Sequence, residues 1–145
     1  MIEANPMGTV VVTAMIENLE DLLGVEKGLL PDENVRRIEV HDAIVDTGAT
    51  TLLLPKRMIA ALGLRPLRTR HSRALRGEFP LSMYGTVRLT IKGRACPLDV
   101  GEIGDAFPVV IGQIPLDALD WVVDTKRQQL IGNPDHGGEW GVDAF

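Results

Sequence analysis

Ala43-Ile44-Val45-Asp46-Thr47-Gly48-Ala49-Thr50-Thr51 is the stretch from which the rest of the chain is read. An apolar, β-favouring run carries one carboxylate, Asp46, straight into a turn of small residues. A second apolar run, Leu52-Leu53-Leu54, leaves that turn and stops at Pro55. Taken alone, Asp-Thr-Gly reads as an Asx turn, in which the side-chain oxygen accepts a local backbone N–H. Its setting adds more, because apolar strands lie on both sides. A second strand-then-glycine signal, Val109-Val110-Ile111-Gly112, follows later.

Outward from the motif, short strands dominate. Residues 9–16 are rich in β-branched side chains and predict a strand. Residues 18–34 are polar and broken by Gly24, Gly28 and Pro31, which predicts a long connection with one helical turn over 19–23. Residues 35–40 and 43–45 together form the second strand. Met58, Ile59 and Leu62 recur at helical spacing between Pro55 and a terminating Gly63, giving a short helix over 55–62.

Strands are then expected over 67–74, 79–84, 86–91 and 94–100, with a hairpin turn at Lys92-Gly93. Residues 101–105 read as a loop, 107–111 as a buried strand and 115–120 as a short helix. Strands over 121–123 and 128–131 flank a turn, and 132–145 form a glycine-rich extended tail on the surface or a partner. Seven to nine short strands with two brief helices predict an all-β sandwich or barrel, one domain over residues 1–145.

Composition narrows the function. A chain of 145 residues, 45% hydrophobic and 24% charged, has enough apolar material for a core. A net charge of −5 and 4% aromatic residues argue against nucleic-acid binding and against acidic membranes. One cysteine, Cys96, allows no intrachain disulfide. With no signal-peptide pattern and no long apolar run, a soluble cytoplasmic protein is expected.

The motif with its flanks and the later Val110-Ile111-Gly112 resembles the retropepsin-like aspartic proteases, the small single-motif kind that works as a homodimer. The likeness extends over residues 9–134. It includes Leu52-Leu53-Leu54-Pro55, Leu62-Gly63-Leu64 and a hairpin at 73–79 that corresponds to a flap. The ending Asn133-Pro134-Asp135-His136-Gly137-Gly138-Glu139-Trp140 looks like that of bacterial members.

The resemblance implies a specific chemistry. Two carboxylates about 3 Å apart cannot both ionise, so they share a proton; the ionised one activates water and the neutral one donates to the peptide carbonyl. One motif per chain then requires a twofold dimer in which each chain contributes Asp46. In that picture Asp46, Thr47 and Gly48 are the catalytic loop, Thr47 reaching across to the partner and Gly48 permitting close approach to the axis. Ala49, Thr50, Leu75, Arg76, Gly77 and Ile111 are the implied substrate-binding residues, and the substrate is a peptide or protein. Two departures concern Thr50 and Gln113, where viral members carry an Asp and an Arg that pair with each other. The alternative function is a non-catalytic dimer of this fold that binds an extended peptide or partner. A third is an unrelated β-barrel binding module in which Asp46 merely turns the chain.

Other chemistry finds little support. His41, His71 and His136 are scattered without a cysteine cluster, so neither a metal nor another cofactor is expected. Phosphate-binding glycine motifs and a G-x-S-x-G elbow are both missing from the sequence. Cys96, before Pro97, reads as a small buried hydrophobe. Arg65, Arg68, Arg70, Arg73 and Arg76 cluster in an otherwise acidic chain, as a solvated hairpin or as a surface for an acidic segment. Trp121 and Trp140 read as packing residues, Trp140 also as a candidate interface anchor.

Overall fold

Val10, Val12, Ala14 and Ile16 alternate along the first strand, and each is at most 7% exposed. The period-2 pattern therefore faces a core. The computed structural model describes residues 9–74 and 77–140, with the side chains of 71–79 outside that description. In chain order the elements are β1 (Val10–Asn18), α1 (Leu19–Glu26), a 3-10 turn (Asp32–Asn34), β2 (Arg37–Val45), β3 (Leu52–Pro55), α2 (Lys56–Ala61) and β4 (Arg65–Ala74). There follow β5 (Gly77–Ile91), β6 (Arg94–Ile103), β7 (Val110–Ile111), α3 (Gln113–Ala118), β8 (Trp121–Asp124), β9 (Gln129–Gly132) and a last 3-10 turn (Pro134–His136).

The fold is all-β. Seven strands run in the order β1-β2-β7-β3-β6-β5-β4, and β1 also pairs with β5. That extra ladder closes six strands into a barrel and leaves β4 outside it. Closure removes the sheet edges that β1 and β5 would otherwise expose. Leu52, Leu54, Leu89, Ile91, Val100 and Ile111 fill the core and are fully buried. β8 and β9 form a separate two-stranded sheet.

Local chemistry fixes several joints. Between the pairs Val12↔Ala43 and Ala14↔Val40, β2 carries two residues opposite the single Thr13. This bulge resets the inward face, so Val40 and Ala43 are both buried although three apart. Gly63 (φ +65°) ends α2, with Gly63 N–H donating to Ala60 O and Leu64 N–H to Ile59 O. This is a Schellman cap, with Leu64 buried beneath it. Lys92 (φ 50°) and Gly93 (φ 85°) make the two-residue turn joining β5 to β6.

Several expectations need correction. Residues 19–26 form two turns of helix, because Asn18 Oδ1 caps the Asp21 N–H and Asp21 clamps Arg36. The two strands expected on either side of Gly85 are one 15-residue strand with a register shift at Tyr84/Val87. The loop expected at 101–105 is strand as far as Ile103, held by pairing to β3. The buried strand expected over 107–111 shrinks to two residues, with Phe107 60% exposed.

Arg94 organises the C-terminal part of the described chain. It is 6% exposed and donates to the carbonyls of Leu119, Asp120 and Gly138. Its guanidinium lies 3.9 Å from the Trp121 ring centroid and 5.4 Å from that of Trp140. Trp140, partly buried, thus packs against the chain's own core cluster.

Candidate active site

β7 lies between β2 and β3, parallel to the first (Val45↔Ile111) and antiparallel to the second (Leu52↔Ile111). The link from β2 to β3, residues 46–51, therefore crosses the end of β7. Asp46 N–H donates to Ile111 O at 3.0 Å, and Gly112 N–H donates to Thr51 O at 3.0 Å. Beyond Gly112, the first two amides of α3 point at the same link. Gln113 N–H donates to Ala49 O and Ile114 N–H to Thr50 O, both at 2.9 Å. Helix N-termini leave such donors without intrahelical acceptors. Here the motif's carbonyls supply them, so the loop and α3 fix each other through backbone alone.

Gly112 is what permits this approach. A Cβ there would lie 2.5 Å from Thr51 O and 2.6 Å from Ala49 O. The sequence marks this glycine only as the end of an apolar run, and its contact with the loop is a tertiary fact. Thr51 is 5% exposed, and its hydroxyl donates to Asp99 O at 3.4 Å.

Asp46 itself stands exposed at the surface. Its Oδ1 accepts the Gly48 N–H at 2.8 Å, and Ala49 N–H donates to Asp46 O at 3.0 Å. The motif is thus an Asx turn, with one carboxylate oxygen engaged by its own loop. Among the described residues no cation pairs with Asp46.

The remaining site residues divide into three groups. Thr47, Gly48 and Thr50 are exposed beside Asp46, and Ala49 is half-buried. Ile111 has 0% exposure, so it offers the loop its carbonyl while its side chain belongs to the core. Gly77 opens β5 and pairs with Ala74; Leu75 and Arg76, between them, lie outside the described residues. The hairpin itself is long. The last β5–β6 pair beyond the barrel is Met83↔Gly101, and from Thr69↔Ser82 to Ala74↔Gly77 the two strands pair only with each other.

Thr47 borders an open cleft of about 540 Å³ shared with Gln113, Asp117, Trp121, Val122 and His136. Sequence reasoning did not foresee this cleft, because it joins the motif to α3, β8 and the last 3-10 turn. His136 Nδ1 lies 2.8 Å from Asp120 Oδ1, and Trp121 Nε1 is buried with no hydrogen-bond partner among the described residues. Gln113 Nε2 donates to Asp117 Oδ1 at 2.7 Å within α3, so neither Gln113 nor Thr50 places a charge beside the motif.

Among the described residues no three His, Cys, Asp or Glu side chains gather as metal ligands would. Burial pushes the Cys96 thiol above its ordinary pKa, which keeps it protonated and a poor nucleophile. The same residues contain no helix long and apolar enough to cross a membrane. Comparison of the chain with protein-family models and with curated proteins returns no match.

Proposed function

We propose that the chain is a retropepsin-like aspartic endopeptidase that works as a homodimer, one Asp46 coming from each copy. The observation that carries this reading is the Asp46 loop. It presents an exposed carboxylate with no cationic partner among the described residues, on a turn held by backbone hydrogen bonds to β7 and α3. A preorganised loop of this kind suits catalysis, since rigid placement of the reacting group lowers the entropic cost of the chemical step.

A twofold axis beside Gly48 brings the two carboxylates together. Their proximity raises one pKa, so the pair holds a single proton between pH limits that belong to the pair. The ionised member takes a proton from water as that water attacks the scissile carbonyl carbon. The neutral member gives its proton to the carbonyl oxygen. Collapse of the resulting tetrahedral diol breaks the C–N bond, and the amine leaves with a proton returned from the pair. The projecting β4–β5 hairpin suits closure over an extended peptide.

The experiment combines sedimentation with a peptide-library cleavage assay between mildly acidic and neutral pH. A dimer whose cleavage disappears in Asp46→Asn is expected. A strictly monomeric protein, or cleavage indifferent to Asp46→Asn, overturns the reading. A second reading, a non-catalytic dimer that binds extended peptides, is favoured by the neutral Thr50 and Gln113, which leave the motif without an ion-pair lock. Peptide binding by a dimer without hydrolysis at any pH would select it.

A further inference from the structure

Among the described residues the outermost strand of the large sheet, β4, pairs on one side only, with β5. Its other side presents N–H and C=O groups of a ten-residue strand that no other described strand engages, a template for one more strand. Over its second half the β4–β5 arm projects from the barrel with no third strand beside it among the described residues. Residues 65–74 contain no Asp or Glu, in a chain of net charge −5.

The arginines along this edge differ in how they are neutralised. Arg65 pairs with Glu20 at 3.1 Å and Arg68 with Asp99 at 3.4 Å. Arg70 is exposed, and among the described residues no carboxylate pairs with it. At the start of the strand, Leu67 sits at the register shift between Pro66 and Arg68 and is 46% exposed. With Leu19 and Leu23 it lines a pocket of about 310 Å³, rimmed by the Glu20–Arg65 ion pair and Thr86.

We propose that the free edge of β4 docks an extended acidic peptide segment. The segment adds as a further strand, sets a carboxylate against Arg70, and places one apolar side chain in the Leu19/Leu23/Leu67 pocket. Main-chain pairing supplies affinity, while charge and pocket supply selection. A single-stranded nucleic acid would meet the same charge, but β4 has no Phe, Tyr or Trp on which bases stack. The proposal needs no chemistry at Asp46 and stands whether or not the chain hydrolyses peptides. Charges on an edge strand otherwise serve to repel other strands, and that role predicts no binding at all.

Fluorescence anisotropy of a labelled peptide of alternating Glu and Val, about eight residues long with a Leu near each end, tests the proposal. Saturable binding is expected, weaker as salt rises from about 0.05 M to 0.3 M. Arg70→Glu is expected to weaken it about tenfold or more. Arg127→Glu, the same charge change in the β8–β9 turn, leaves it unchanged. Methylating alternate peptide nitrogens along one edge abolishes binding, and methylating those of the other edge does not. The proposal is overturned by any of four results: no binding, equal weakening by Arg127→Glu, full binding of both methylated peptides, or equal affinity for a single-stranded oligonucleotide. A change of oligomeric state in Arg70→Glu also overturns it, by assigning the edge to a second copy.

Discussion

Asp46 and Asp21 are both aspartates at the junction of a strand with a tighter element, yet their surroundings are opposite. Asp21 is 9% exposed and receives Arg36 Nε and Nη2 at 2.9 Å each, with the Arg36 N–H at 3.0 Å. Glu17 nearby is 5% exposed and is held by Arg37 and Arg88 at 2.9 and 2.8 Å. Asp46 is exposed, and among the described residues its carboxylate receives only the Gly48 N–H. A buried carboxylate must be matched by cations or it destabilises the fold. The first two acids therefore belong to the architecture. Asp46 contributes little that the fold requires, while its loop is held rigidly by backbone, so its chemistry is open to whatever approaches it.

The sharpest way to break this contrast is Asp46→Asn. Loss of peptide cleavage by about 10²–10⁴-fold is expected in a kinetic assay, with a melting temperature within a degree or two of the parent. A variant that unfolds instead would make Asp46 a structural acid like Asp21. Next in size is Gly112→Ala, which sets a methyl against Ala49 O and Thr51 O. A loss of about 2–3 kcal/mol in denaturant unfolding is expected, together with lost cleavage as the loop shifts.

Asp21→Asn is expected to cost about 2 kcal/mol, the scale of a charged hydrogen-bonded pair, and to leave any cleavage intact. Its pH dependence has a definite sign. The side-chain hydrogen bonds from Arg36 lower the Asp21 pKa, outweighing the opposing effect of burial. The parent's advantage over Asp21→Asn is thus complete above the unfolded value of about 3.9. It fades as pH falls through the lower folded value, because protonation of Asp21 breaks the clamp. Unfolding of both proteins at pH 7 and about pH 3 checks this; a gap that fails to narrow in acid contradicts the assignment. The smallest effect belongs to Gln113→Ala. Its exposed bond to Asp117 is worth under about 0.5 kcal/mol, and Gln113 holds the loop through its backbone N–H, which the substitution keeps.

Residues with strong local chemistry were legible in the sequence. The Asp46-Thr47-Gly48 turn, the Gly63 stop after α2 and the Lys92-Gly93 turn each follow from one or two side chains and their permitted backbone angles. Less legible was α1, whose Gly24 and Gly28 suggest a loop. Its Asn18 cap is local, but its Asp21–Arg36 clamp joins residues fifteen positions apart. Glu17 and Asn18 lie past the expected end of the first strand, Asn18 in a stretch that reads as polar connection, but both are buried, since their partners Arg37, Arg88 and Leu62 come from distant elements. Arg94 gave no signal either, because what it binds is main-chain oxygen.

The sequence by itself determined an all-β chain with a single aspartate motif between two apolar runs, because strand period, turn residues and breakers act over a few neighbours. Only the tertiary structure decided that β1 closes on β5, that a two-residue β7 lies beneath the motif, and that Gly112 and the α3 amides hold its loop. Those features depend on register and on the approach of backbones far apart in the chain, and no local side-chain preference encodes either.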